Sequence, residues 1–276
     1  MATTLVVVAA AVYGRWVLAA RRRGARWPWW RTVAFVAALG LFATLQSGIV
    51  GQDDRQLRWA FVLRLATLFF AVPAFAAAAG PLALLRTGGP TRLSGAAAAV
   101  LRSRPARLLG NAIVAPLVAL AVFGVLLTPL AGVLRQSFLS TEAVTVLVPV
   151  LGFLLLAPLS EVGVLHSSAF ATAEFLLAFV ELVLDAVPAV VMRVSGHVLD
   201  GAGRTTLHVP WTPSPLQDQH LAGDLLWFIA EVADVPVLIA LFVRWQRSDR
   251  REARAVDDLT DEQMAALTRE HLRRRS

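Results

Sequence analysis

The chain has 276 residues, 57% of them hydrophobic and 16% charged, with a mean hydropathy of +0.64, a formal charge of +7 and no cysteine. An average soluble domain carries about 25% charged residues, so composition excludes a water-covered fold and makes the bilayer the main solvent. The lack of cysteine excludes disulfide scaffolds and thiolate metal sites, and the basic residues, all 26 of them arginine, sit in short runs beside apolar stretches, which excludes nucleic acid as a partner.

A membrane helix needs about 20 mostly apolar residues. Seven segments fit: 4–20, 32–50, 59–79, 111–134, 142–160, 168–192 and 222–244. None alternates with period two, so the predicted fold class is an all-α membrane protein, a seven-transmembrane helical bundle over residues 1–244. In the first segment the charges Arg21, Arg22 and Arg23 follow the apolar run instead of preceding it, the order of a reverse signal anchor and not of a cleaved leader. Trp27, Trp29 and Trp30 after it, Trp59 opening the third segment and Trp245 closing the last are placed as interfacial anchors. Prolines interrupt most segments, Pro73, Pro116, Pro129, Pro149, Pro158, Pro188 and Pro236 among them, and predict kinked helices.

Nineteen arginines fall in 21–31, 80–110 and the stretch from Arg244 onward, against five in the alternate loops, which places the bacterial cell membrane around the bundle with the N-terminus outside and the C-terminus in the cytoplasm. Residues 245–276 form a basic, amphipathic tail in which Thr260 and Gln263 make a capping box ahead of Met264 and Leu267, predicting a short cytoplasmic helix on anionic lipid.

Ionisable residues inside the segments are the candidate site. Glu174, Glu181 and Asp185 stand at i, i+7 and i+11, within about 40° on one helix face; Asp224 and Glu231 repeat the i, i+7 spacing, with Asp234 about 80° off that line. Charges at membrane depth are costly and turn toward the bundle interior, so these faces are expected to meet each other and Arg64, with Arg64 paired to Asp185 or Asp224. His197, His208 and His220 share the 193–221 loop and form a weak candidate site for Cu(II) or Zn(II). No Ser-His-Asp arrangement, phosphate-cradling glycine loop or nucleotide fingerprint occurs, and no enzyme activity is expected.

The run RRRGARWPWWRTVAFVAALGLFATLQSG resembles the first cytoplasmic loop and second span of actinobacterial CtaG-type cytochrome c oxidase assembly factors. The segment LQDQHLAGDLLWFIAEVADVPVLIALFVRWQRSDRREARAVD, with its DQ-x-LAG opening and RSD-x-REA ending, resembles that family's last span and tail, and AGPLALLR and LTPL fit between them. The resemblance implies an assembly factor of the respiratory chain, with cytochrome c oxidase subunits and the lipid bilayer as partners and copper as the metal handled. It also implies histidines at four positions that here read Phe61, Leu65, Val148 and Asp185. Two functions follow: an integral membrane assembly factor for haem-copper oxidase whose copper site is lost, or a proton-linked or cation transporter using the carboxylates of the last two segments.

Overall fold

The computed structural model describes residues 2–109, 111, 114–161, 168–201 and 213–257, and these contain helices and turns but no strand. In chain order the helices are α1 (Ala2–Arg22), α2 (Trp29–Thr44), α3 (Gly48–Gln52), α4 (Arg58–Ala66), α5 (Val72–Ala78), α6 (Pro81–Gly88), α7 (Thr91–Arg102), α8 (Arg104–Leu109), α9 (Val114–Gly124), α10 (Leu130–Gln136), α11 (Phe138–Glu161), α12 (Ser168–Val194) and α13 (Pro215–Asp257).

Helices occupy all seven expected segments, yet among the described residues three are long and apolar enough to cross a membrane: Thr3–Arg22, Arg58–Gly88 and Phe138–Leu156. A fourth is reached if the bent pair Val114–Leu127 and Leu130–Gln136 counts as one. The seven-span expectation is therefore corrected to three or four. Segment two falls short because α2 has 16 residues, about 24 Å at 1.5 Å per residue, less than the ~30 Å of hydrocarbon. Segment four is not one rod, because Thr128 and Pro129 break it by 84°. Helices α12 and α13, 27 and 43 residues long, carry the acidic positions. The latter runs unbroken past 244 to Asp257, and the capping box at Thr260 lies outside the described residues.

Between α4 and α5 the helix widens into a π-turn, Thr67–Ala71, where the Val72 N–H donates to the carbonyl of Thr67 five residues back. The cause stands two residues on. Pro73 has no N–H for the Phe69 carbonyl and its ring would strike it, so the extra residue in the turn relieves the clash.

The core gathers around this bend. Phe69, Phe70 and Phe123 form a ring cluster with centroids 4.9–5.4 Å apart, and Phe61, Leu65, Leu126, Val148, Met192 and Leu226 close it from α4, the 3-10 turn after α9, α11, α12 and α13. A second cluster joins α1 to α6: Tyr13 stacks on Phe35 at 3.8 Å, accepts the Trp27 indole N–H at 3.2 Å and donates to the Ala79 carbonyl at 3.3 Å. Outward faces expose Val7, Val8, Leu147, Val150, Phe179, Val183, Phe228 and Ile239, apolar surface that suits lipid and not water.

The pair α12–α13 packs closely enough to require glycine at one point. A Cβ on Gly223 would lie 2.7 Å from the Ala189 carbonyl oxygen and 3.1 Å from the Arg193 nitrogen, both backbone atoms that cannot yield without moving the helix. Gly223→Ala is expected to destabilise by about 1–3 kcal/mol through overpacking. Gly40→Ala, where nothing stands within 4 Å, is expected to stabilise by up to about 1 kcal/mol through helix propensity. Unfolding in mixed micelles checks both signs.

Candidate functional site

Buried charge concentrates at the end of the bundle where α4 begins. That helix starts after Leu57, whose own side chain caps nothing. Its first amides are capped instead from α13: the Arg58 and Trp59 N–H groups donate to the two Asp218 oxygens at 2.8 and 2.9 Å. A carboxylate at a helix N-terminus both fills orphan donors and faces the positive end of the dipole. The Arg58 guanidinium then reaches Asp200 at 2.8 Å and Asp218 at 3.5 Å. Asp200 holds a second cation, Arg135 of α10, at 3.1 Å, and Arg135 also donates to the Arg55 carbonyl at 2.7 Å. All four side chains are at least nine-tenths buried, two cations and two anions among the described residues.

Gln219, beside Asp218, fastens the chain between α12 and α13. Its carbonyl accepts the Leu199 N–H at 2.8 Å, and its amide donates to the carbonyls of Met192 and His197 at 3.3 and 3.1 Å. A cavity of about 20 Å³ lies among Arg58, Arg135, Asp200, Gln219 and the apolar Phe61 and Leu126, room for about one water molecule. Burial pushes the Asp218 carboxyl above the ordinary carboxylate range, against the pull of the Trp59 and Arg58 amides and the two arginines. A carboxylate with a raised folded value binds its proton earlier in the folded state than in the unfolded one. Acidification into that window consequently does not weaken the fold through this group.

Arg64, six residues into α4 from Arg58, is buried and pairs with Asp54, from the turn after α3. It also donates to the Gln46 side-chain oxygen at 2.7 Å and to the Thr145 hydroxyl at 2.5 Å. The expected pairing with Asp185 or Asp224 is thereby corrected. The turn after α3 folds back over α4, so a loop acid that is local in sequence reaches the guanidinium first.

The other candidates scatter. Asp185 is buried, whereas Asp224 is half exposed and pairs with Arg193 at 3.0 Å, and Glu231 accepts the Trp227 indole N–H at 2.9 Å. The side chains of Glu174, Glu181 and Asp234 lie outside what is described. His197 and His220 both approach Ser195, the first with Nδ1 3.5 Å from its hydroxyl and the second with Nε2 3.1 Å from its carbonyl, while His208 lies outside the described residues.

Sequence reasoning passed over Arg58, Arg135, Asp200, Asp218 and Asp54, counting most of them as loop charges. A signal was present in DQ-x-LAG: its Asp218 caps α4, its Gln219 clasps the preceding loop, and its Gly223 admits α12. The positions where the resemblance implies histidines are buried, and Phe61, Leu65 and Val148 are packed into one apolar core.

A family model described as cytochrome c oxidase caa3 assembly factor matches residues 11–248. Two mycobacterial proteins whose names assign no activity, from Mycobacterium bovis and Mycobacterium tuberculosis, are each 26% identical over 271 residues, covering 94% of this chain. The chain spans 40% of the length of these relatives. No solved structure matches it.

Proposed function

This chain belongs to the cytochrome c oxidase caa3 assembly factor family, and from that premise we propose that it is a multi-pass protein of the bacterial cell membrane that supports oxidase assembly through helix contacts, without an intramembrane copper site of its own. The observation that carries the second half is the content of the four positions. Phe61, Leu65 and Val148 offer no ligand atom and fill a packed core; Asp185 offers hard oxygen, whereas Cu(I) selects soft thiolate, thioether or imidazole. The exposed apolar faces of α11, α12 and α13 supply surface for lipid or for the helices of an oxidase subunit. A deletion strain should lose assembled haem-copper oxidase, and added copper should not restore it. Normal oxidase content in that strain sinks the reading.

Copper binding gives a second measurement. Purified protein with His197, His208 and His220 all replaced is expected to retain less than stoichiometric copper after dialysis, read by elemental analysis, and a full equivalent retained would place copper on residues this reading leaves out. The arginine asymmetry supports a cytoplasmic C-terminus, so a reporter fused after Ser276 is expected to be active in its cytoplasmic form only. The transporter reading predicts uncoupler-sensitive uptake lost on Glu181→Gln. It draws no support from Asp224 or Glu231, whose partners are the neighbouring Arg193 and Trp227.

A further inference from the structure

A cavity of about 400 Å³ opens between the starts of α2 and α6 and the inner part of α11, walled by Trp30, Arg31, Ala78, Leu82, Arg86 and Phe153. Arg31 is one of two arginines that line it. The Arg31 guanidinium carbon sits 4.9 Å from the Trp27 ring and 5.4 Å from the Trp30 ring, so two aromatic faces hold the cation in place. From the third side it packs on Gly80, where a Cβ would come 3.0 Å from Nη1. Nε is buried without a hydrogen-bond partner, and among the described residues no carboxylate forms an ion pair with Arg31.

The adjoining wall is made of further donors. Gly80 takes the left-handed conformation, φ 64°, and starts α6 with no side-chain cap. Pro81 has no N–H, and the amides of Leu82 and Ala83 precede the first intrahelical bond, from Leu84 to the Gly80 carbonyl at 3.0 Å. Both residues line the cavity, as does Arg86 one turn on. Ala77, Ala78 and Phe153 add apolar lining. Arg23 donates to the Thr87 carbonyl at 2.8 Å, which brings the arginine cluster after α1 beside the same helix.

We propose that this cavity binds the phosphate of an anionic phospholipid headgroup, with Arg31 and the α6 amides on the phosphate and the Ala77–Phe153 wall along the upper acyl chain. A held guanidinium with no protein anion, next to unfilled helix-start amides, recognises phosphate. The apolar wall selects a lipid over the free ion. Basic pockets between helices on the arginine-rich side of a membrane are suited to such headgroups. The inference rests on the membrane reading but not on the oxidase one, because its test uses purified protein and the deletion strain tests the other.

The full chain in detergent would be titrated with phosphatidylglycerol, phosphatidylcholine or inorganic phosphate, and bound lipid counted by native mass spectrometry. Phosphatidylglycerol is expected to bind at least about fivefold more tightly than phosphatidylcholine, and Arg31→Gln to remove that preference, while Arg92→Gln, exposed on α7, changes it by less than about twofold. Equal binding of the two lipids, full preference retained in Arg31→Gln, or displacement of the lipid by millimolar inorganic phosphate would each overturn the proposal. If Arg31→Gln does not fold, the wild-type comparison of the three ligands decides it.

Discussion

Asp200→Leu will cost about 3–5 kcal/mol of stability, the range for breaking a buried pair and leaving its partner charged. The carboxylate bridges Arg58 at 2.8 Å and Arg135 at 3.1 Å, both guanidinium groups 4% exposed. Without it Asp218 is the carboxylate left to the two buried cations among the described residues, and the adjoining cavity of about 20 Å³ admits about one water molecule, too little to hydrate two guanidinium groups. Asp224→Leu provides the contrast. Its pair with Arg193 has a similar distance, 3.0 Å, but both side chains are about half exposed, and pairs in that setting contribute about 0–1 kcal/mol. Folded yield and denaturant titration in micelles should separate the two variants by at least about 2 kcal/mol; equal losses would mean that distance and not burial governs these pairs.

The second large effect is expected at Arg64. Arg64→Leu strands the buried Asp54 carboxylate and takes the donor from Gln46 and Thr145, while Asp54→Leu strands the guanidinium. Each single change should cost about 3–5 kcal/mol, and the double variant should be more stable than their sum by at least about 1–3 kcal/mol. The same cycle run with Asp185 in place of Asp54 is expected to be additive within about 0.5 kcal/mol. Strict additivity for Arg64 with Asp54 would remove the pairing from the account.

What could be read from the residues, and what could not, divides along a physical line. Hydropathy reports how much apolar surface a segment has, and it located helices at all seven segments. It does not report where a helix stops or bends, which depends on single residues. The end of α2 before Leu45 and the 84° break at Thr128 and Pro129 are events of that kind. The charged site shows the same division. Periodicity puts Glu174, Glu181 and Asp185 on one face, but a face says nothing about its partner, and Arg64 pairs with Asp54, ten residues away in the turn after α3. The family-like motifs were the better guide to junctions. LQSG contributes Gln46 to Arg64, AGPLALLR places Gly80 at the start of α6, LTPL makes the break, and DQ-x-LAG closes α4. Each is a point where one helix meets another, not a ligand set.

The cap that Asp218 places on α4 joins residues 160 positions apart, and that separation orders events in time. A ribosome releases Arg58, Arg64 and Arg135 long before Asp200 and Asp218, at roughly 5–20 residues per second. Through that interval Arg64 already has Asp54 for company, whereas Arg58 and Arg135 have no acid from their own network, and the first turn of α4 has bare amides. The end of the bundle accordingly locks last, when α13 arrives. A chain stopped short of residue 200 lacks both carboxylates of this network, so at one end of the bundle it presents the Arg58 and Arg135 guanidinium groups and the first amides of α4 without the acids that bury them in the finished chain.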